Sequence, residues 1–147
     1  MSDAIVVGTD GSDTAKRAVR EAMRLARALD AEIHIVSAFE PLRGARVVGA
    51  PEGTVEAWIP LPDAAVNAVV EEAAADVRAS GIPVRTHTHE GHAADVLLRV
   101  ADDVDANMIV VGNRGMHGAA RFVLGSVPNK VSHHAHCNVL IVATVGN

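Results

Sequence analysis

The chain has 147 residues, enough to bury one core, and its 49% hydrophobic and 21% charged residues are typical of a globular protein. The formal net charge of −5 argues against nucleic acid and an anionic membrane surface as partners. Cys137 is the only cysteine, which excludes an intramolecular disulfide. No apolar run has the length of a membrane span, and the first ten residues do not resemble a secretory signal. We therefore expect one cytoplasmic domain over residues 1–147.

Apolar runs and amphipathic segments alternate in the first part of the chain. Ala4 to Gly8 is a short apolar run that predicts a buried strand. Ser12 or Asp13 then caps a predicted helix, whose apolar residues repeat at helical spacing as far as Leu29. Glu32 to Ala38, rich in β-branched residues, predicts a second strand.

The stretch from Phe39 to Leu61 interrupts this alternation. It contains several glycines and prolines, shows no clear period and is longer than most loops in compact domains. Two interpretations stay open, a functional lid and a disordered segment. Trp58 within it is interpreted as a hydrophobic plug in preference to a lid residue.

The alternation resumes at Pro62, which suits the first turn of a helix that ends near Gly81. The remaining predicted elements are an edge strand at Pro83 to His89, a helix around Leu97 to Val104, a strand at Asn107 to Val111, a helix from Ser126 and a strand at Asn138 to Thr144. Alternating strands and helices predict a parallel sheet with right-handed crossovers and helices on both faces.

A glycine-spaced segment follows the fourth predicted strand. Gly112 and Gly115 are separated by two residues, and nine further residues precede Gly125 and Ser126. Glycines let backbone N–H groups approach an anion closely, and a helix start at Ser126 adds unpaired N–H groups. The segment from Gly112 to Ser126, called the glycine loop below, is therefore a candidate phosphate site. By spacing alone, an ordinary connection with a serine cap explains it about as well.

The residues after the first strand belong to the same edge of the predicted sheet. Ligands of open parallel sheets bind beyond the carboxyl ends of the strands, where the strand order reverses. Thr9 and Asp10 lie at this position, and the Asp10 carboxylate has the chemistry to accept hydrogen bonds from ribose hydroxyls. Judged alone, an aspartate that bonds its own turn is the better interpretation of Asp10.

These motifs together resemble the nucleotide-binding branch of the universal stress protein family. Gly112, Gly115, Gly125 and Ser126 match that branch at every fixed position, and both ends of the chain, Val-Gly-Thr-Asp-Gly-Ser and Cys-Asn-Val-Leu-Ile-Val, are also similar to it. The resemblance spans essentially the whole chain. It implies a Rossmann-like, doubly wound sheet of five parallel strands in the order 3-2-1-4-5 with four helices, an order that periodicity does not provide.

The resemblance also implies a role for each candidate binding residue. Asp10 and Gly112 would face the ribose, Val36 and Val111 would lie near the adenine, and Gly115, Gly125, Ser126 and Val127 would hold the phosphates. Arg114 and Arg121 lie inside the glycine loop, where meeting phosphate charge and being surface arginines are about equally good interpretations.

Two departures from the family pattern affect the expected geometry. Gly8 replaces a proline found in some members, which loosens the first loop, and Asn138 replaces the usual proline before the last strand.

The predicted function is adenine-nucleotide binding in a stress-response protein. The ligand is ATP or another adenine nucleotide, with Mg²⁺ as an optional companion of the phosphates. A Walker loop would need a lysine that is missing from the glycine loop, so little or no hydrolysis is expected and no catalytic residue is assigned. The alternatives are an ATP-pyrophosphatase-like adenylating enzyme and a ligand-free dimeric interaction protein. A homodimer is expected through the last strand, because an exposed apolar edge is a liability in a monomer.

Clustered histidines and a lysine receive other interpretations. His133, His134, His136 and Cys137 lack a second ligand pair at zinc-site spacing, so no metal site is expected. His87, His89 and His92 are interpreted as a solvated edge. Lys130 is interpreted as a solvated lysine in preference to a contact with a terminal phosphate.

Overall fold

A computed structural model describes residues 3–39, 62–113 and 126–143 of the chain. The strands are β1 (Ala4–Gly8), β2 (Glu32–Phe39), β3 (Val84–Glu90), β4 (Met108–Gly112) and β5 (Asn138–Val142), and the helices are α1 (Asp13–Leu29), α2 (Pro62–Ala79), α3 (Ala93–Asp103) and α4 (Ser126–His134). The predictions concerning Trp58 and the lid fall on residues 40–61, and most of the glycine loop falls on residues 114–125. Both lie outside the described ranges.

The five strands form one parallel sheet in the order β3-β2-β1-β4-β5, which confirms the predicted fold class. In register, β1 places Gly8 beside Val36 of β2 and Val7 beside Val110 of β4. From β1 the chain adds β2 and then β3 toward one edge of the sheet. It then returns to β4, on the other side of β1, and adds β5 at the opposite edge. The strand order therefore reverses between β1 and β4, where a crevice opens beyond the strand ends.

Side chains on the central strands divide between two apolar layers. Ile5 and Val7 of β1 face the layer formed with α1 and α2, whereas Val6 faces the layer formed with α3 and α4. All three are fully buried. A strand that is covered on both faces has apolar residues at successive positions, which is why apolar and polar residues do not alternate in β1 and β4.

Some boundaries differ from those the sequence predicts. β2 includes Phe39, whose carbonyl accepts a 2.8 Å hydrogen bond from the Gly91 N–H. α3 begins at Ala93, one turn before Leu97, the first of the apolar residues that marked this helix in the sequence; Gly91 adopts a φ of 136° and His92 is the N-cap. Asn138 pairs regularly with Met108, so the missing proline leaves the start of β5 undistorted. None of the helices in the described ranges is long and apolar enough to cross a membrane.

Candidate functional site

A cleft opens beyond the carboxyl ends of β1, β2 and β4, at the point where the strand order reverses. Its walls come from the β1–α1 turn, the end of β2, α3, the end of β4 and the first turn of α4. The lining residues are Gly8, Thr9, Asp10, Ser12, Thr14, Ala15, Val36, Ser37, Ala38, Ala93, Leu97, Val111, Gly112, Val127 and Pro128. This is the position at which open parallel sheets bind their ligands.

The structure brings six of the ten predicted binding residues together in this cleft: Thr9, Asp10, Val36, Val111, Gly112 and Val127. They come from the β1–α1 turn, β2, β4 and α4, which are far apart in sequence. Ser126 is the first residue of α4 and is exposed, but it does not line the cleft. Arg114, Gly115 and Gly125 fall outside the described ranges, and their phosphate role stays a prediction.

The turn after β1 is held by two side chains that bond its own backbone. The Thr9 hydroxyl accepts a 3.2 Å hydrogen bond from the Gly11 N–H, and Asp10 Oδ1 accepts one of 2.8 Å from the Ser12 N–H. Gly11 adopts a φ of 81°, a conformation that favours glycine. Asp10 therefore has the turn role through one carboxylate oxygen. A ribose contact would use its second oxygen.

Two hydroxyls lie where α1 begins and lines the cleft. Ser12 is the N-cap, and its Oγ accepts a 3.2 Å hydrogen bond from the Ala15 N–H. The same Oγ is 2.9 Å from the Thr14 hydroxyl. An N-cap serine satisfies one helix donor, and other N–H groups of the first turn remain without helical partners. The sequence predicted the cap but gave no reason to place Thr14 in the cleft.

The α3 side of the cleft is apolar and depends on a glycine. A Cβ added at Gly8 would lie 3.2 Å from both terminal methyl groups of Leu97, closer than an ordinary van der Waals contact. Gly8 thus lets Leu97 pack directly against the end of β1. The sequence marked Leu97 only as part of a helical stripe, and its place beside Gly8 follows from the crossover.

Ser37 is a second residue that sequence reasoning missed. It lines the cleft at the end of β2 and is 7% exposed. A serine after the apolar residues Ile35 and Val36 was the available signal, but its position relative to β1 requires the register of the sheet.

Lys130 of α4 forms an ion pair with Asp95 of α3. Its Nζ lies 2.7 Å from Asp95 Oδ1, and this hydrogen bond is the main reason why the pKa of Asp95 is below its ordinary value. Both side chains are about half exposed. Lys130 is exposed, in line with its interpretation as a solvated lysine, and its ammonium also pairs with Asp95 at the α3–α4 contact.

The interpretation of His87 as a solvated edge residue is wrong. His87 is half-buried, and its Nε2 lies 2.9 Å from Nδ1 of His34, a residue that is 2% exposed. His34 Nε2 in turn lies 2.7 Å from Glu32 Oε1. If His34 is neutral and donates through Nε2 to the Glu32 carboxylate, its Nδ1 accepts and the His87 Nε2–H donates to it. Burial is the largest cause of the lowered pKa of His87, followed by the charges of His34, His89 and Arg85.

Metal ligation finds no support in the parts of the chain that the structure describes. No three His, Cys, Asp or Glu side chains in those parts are grouped to hold a metal ion. His136, one of the residues in the zinc interpretation, has its Nδ1 3.1 Å from Asp102 Oδ1 of α3.

Comparisons with known proteins agree with the fold. The sequence profile of the universal stress protein family matches residues 1–143. The universal stress protein Rv1636 of Mycobacterium tuberculosis (strain H37Rv) is 38% identical over 144 residues, which cover 95% of each chain. The universal stress protein YxiE of Bacillus subtilis is 31% identical over 149 residues, covering 97% of this chain and 99% of the relative.

A solved structure shares both sequence and fold with this chain. It is a universal stress protein in complex with cAMP, 33% identical, with a TM-score of 0.74 and coverage of 98% of each chain. The family profile spans nearly the whole sequence and the relatives match over nearly their full lengths. The chain therefore belongs to the universal stress protein family.

Proposed function

We propose that this protein binds an adenine nucleotide, ATP in the first instance, in the cleft at the ends of β1, β2 and β4. The observation that carries the proposal is the convergence of Asp10, Val36, Val111 and Gly112 on one cleft at the switch point of the sheet. The 33%-identical universal stress protein that was solved with cAMP supports an adenine nucleotide as the ligand class.

Each part of the nucleotide has residues suited to it. Val36 and Val111 offer apolar contacts to the adenine, and Asp10 and Gly112 lie beside the proposed ribose position. The phosphates would be held by Gly115, Gly125, Ser126 and Val127, with Thr9 and Arg114 as further contacts. We assign these roles within a single nucleotide-binding domain over residues 1–147.

The proposed activity is binding with little or no hydrolysis. The glycine loop lacks the lysine of a Walker motif, which contacts the transferred phosphate in P-loop NTPases. Asp10, the acidic residue lining the described part of the cleft, is engaged with its own turn. Mg²⁺ would accompany the phosphates through water and phosphate oxygens. A cytoplasmic role in the stress response completes the proposal.

A homodimer through β5 is part of the same proposal. β5 is an edge strand that pairs with β4 on one side, and its residues Val139–Val142 remain partly exposed. An apolar edge of this kind is stabilised by pairing with a second copy. Sedimentation should give a dimer at micromolar concentration, and a species near 15.3 kDa would contradict the dimer.

Glycine substitutions test the phosphate loop. A ligand at 100 times its Kd adds about 2.7 kcal/mol to the free energy of unfolding, a rise of roughly 5–10 °C in Tm at this chain length. We expect ATP to stabilise the wild type in this way, and to stabilise neither Gly115→Val nor Gly125→Val, because a side chain blocks the approach of phosphate to the amides.

Gly118→Val is the matched control, since Gly118 belongs to the same loop but not to the fixed motif positions. It should keep the full ATP-dependent shift, and all three variants should keep the far-UV circular dichroism of the wild type. A normal shift in both motif variants would show that the loop does not hold the phosphates.

A further inference from the structure

A groove runs between α1 and α2, on the face of the sheet opposite α3 and α4. Its open volume is about 360 Å³, the size of pockets that take up ligands or the side chains of a partner. Among the described residues it shares only Thr9 with the cleft beyond the strand ends, so it is a separate feature of the surface. It is called the α1–α2 groove below.

The two walls of the α1–α2 groove carry opposite charges. Lys16 and Arg20 line it from α1, and Glu72 and Asp76 line it from α2. The two residues of each row are one helical turn apart, so their side chains lie on the same helix face. All four residues are exposed, and within residues 3–39, 62–113 and 126–143 none of their side chains forms an ion pair or a hydrogen bond. The basic row and the acidic row therefore do not neutralise one another across the groove.

The floor between the two rows is apolar. Val19 is buried in the core, whereas Met23, Val69 and Ala73 are half-buried, and all four line the groove. An apolar centre between polar rims is typical of protein interfaces, because burial of the centre stabilises the contact and the charges of the rim orient it. The groove therefore has the composition of a docking surface.

The basic and acidic rows lie at the same level along the groove. α1 and α2 run in the same direction, because each connects the carboxyl end of one parallel strand to the amino end of the next. The turn before α1 meets α2 partway along its length, since a Cβ built at Gly11 would lie 3.1 Å from Cγ2 of Val69. Both rows begin just past this contact and line the same cavity, so they face each other at one level.

This charge pattern is complementary to itself under two-fold symmetry. Rotation about a two-fold axis parallel to the groove places α1 of one copy over α2 of a second copy and keeps every residue at its own level. The basic row of each copy then meets the acidic row of the other, and every contact occurs twice. A partner with one predominant charge would be attracted to one wall and repelled by the opposite wall.

We propose that the α1–α2 groove is a contact surface for a second copy of this chain, held by the pairing of the basic row with the acidic row about a two-fold axis. The groove lies on the helical layer, whereas β5 is an edge of the sheet. The contact is therefore additional to the homodimer proposed through β5, and it does not depend on nucleotide binding.

Two charge-reversed variants test the contact by mixing. Lys16→Glu/Arg20→Glu makes both walls acidic, and Glu72→Lys/Asp76→Lys makes both walls basic. Each variant alone should associate through the groove roughly tenfold more weakly or worse than the wild type, because like charges then face each other. An equimolar mixture should recover the contact, since the acidic walls of one variant meet the basic walls of the other. Sedimentation equilibrium should therefore give the mixture at least twice the mass of either variant alone, whether or not β5 pairs.

The wild type should have the mass of the mixture, and Arg78→Glu/Arg99→Glu is the matched control. It changes the net charge as much as Lys16→Glu/Arg20→Glu does, but both of its residues are exposed and neither lines the groove. The control should keep the wild-type mass. A mixture no heavier than its component variants, a wild type no heavier than those variants, or an equal loss of mass in the control would overturn the contact. None of these results bears on nucleotide binding, so the proposed function would stand.

Discussion

Asp10 offers a test that separates its structural role from its proposed contact with the ribose. Oδ1 accepts a 2.8 Å hydrogen bond from the Ser12 N–H, and the side chain is exposed. Because solvent competes for this exposed carboxylate, the bond contributes about 0.5–1.5 kcal/mol. Asp10→Ala should therefore lower the Tm of the free protein by roughly 1–6 °C for a chain of this size.

The contact with the ribose would add a separate loss that appears only in binding. A hydrogen bond from a ribose hydroxyl to a carboxylate is worth about 1.5–3 kcal/mol, so Asp10→Ala should weaken ATP binding roughly 10- to 150-fold. Calorimetric titration of ATP and 2′,3′-dideoxy-ATP into the wild type and the variant closes a four-point cycle. The loss should be much smaller for the dideoxy ligand, which has neither hydroxyl. Equal losses for both ligands would refute the ribose contact and leave Asp10 a residue of the turn alone.

Three further changes test the architecture around the cleft. Ser12→Ala removes the N-cap bond to Ala15 and should cost about 0.5–2 kcal/mol in urea unfolding; no change would mean that the cap is dispensable. Gly8→Val places a branched side chain against Leu97, so it should lower the free energy of unfolding by roughly 1–3 kcal/mol and weaken ATP binding. A variant with wild-type stability and affinity would contradict the tight packing of Leu97 against Gly8. The pKa of His87 is lowered in the folded protein, so the unfolded chain binds this proton more readily and the free energy of unfolding should fall as pH drops below the ordinary pKa of 6.5. His87→Gln should reduce this fall, measured as the free energy of unfolding between pH 7.5 and 5.5. An unchanged pH dependence in the variant would exclude His87 as its source.

The sequence predicts those elements whose signal is local. β1 and β4 are continuous apolar runs, and α1 has both an N-cap serine and a helical apolar period, so their positions follow from nearby residues alone. The strand order required a resemblance to a known family, because nothing in a strand's own residues states which strand lies beside it.

Residues whose roles depend on register were the ones that the sequence could not place. His87 has the polar neighbours of an edge strand, yet its partner His34 lies 53 residues earlier and meets it only through the β2–β3 pairing. Ser37 and Leu97 join the cleft for the same reason, since β2 and α3 meet the end of β1 only in the folded sheet. Asp10 shows the reverse case, in which the local interpretation as a turn residue was sound.

Direct titration of the wild-type protein with ATP, AMP and cAMP tests the central claim most directly. Isothermal calorimetry on nucleotide-free protein should show saturable binding of at least one of these ligands, with one site per chain, and competition among those that bind. The absence of saturable binding by all three at millimolar concentration would contradict the assignment of this cleft to adenine nucleotides.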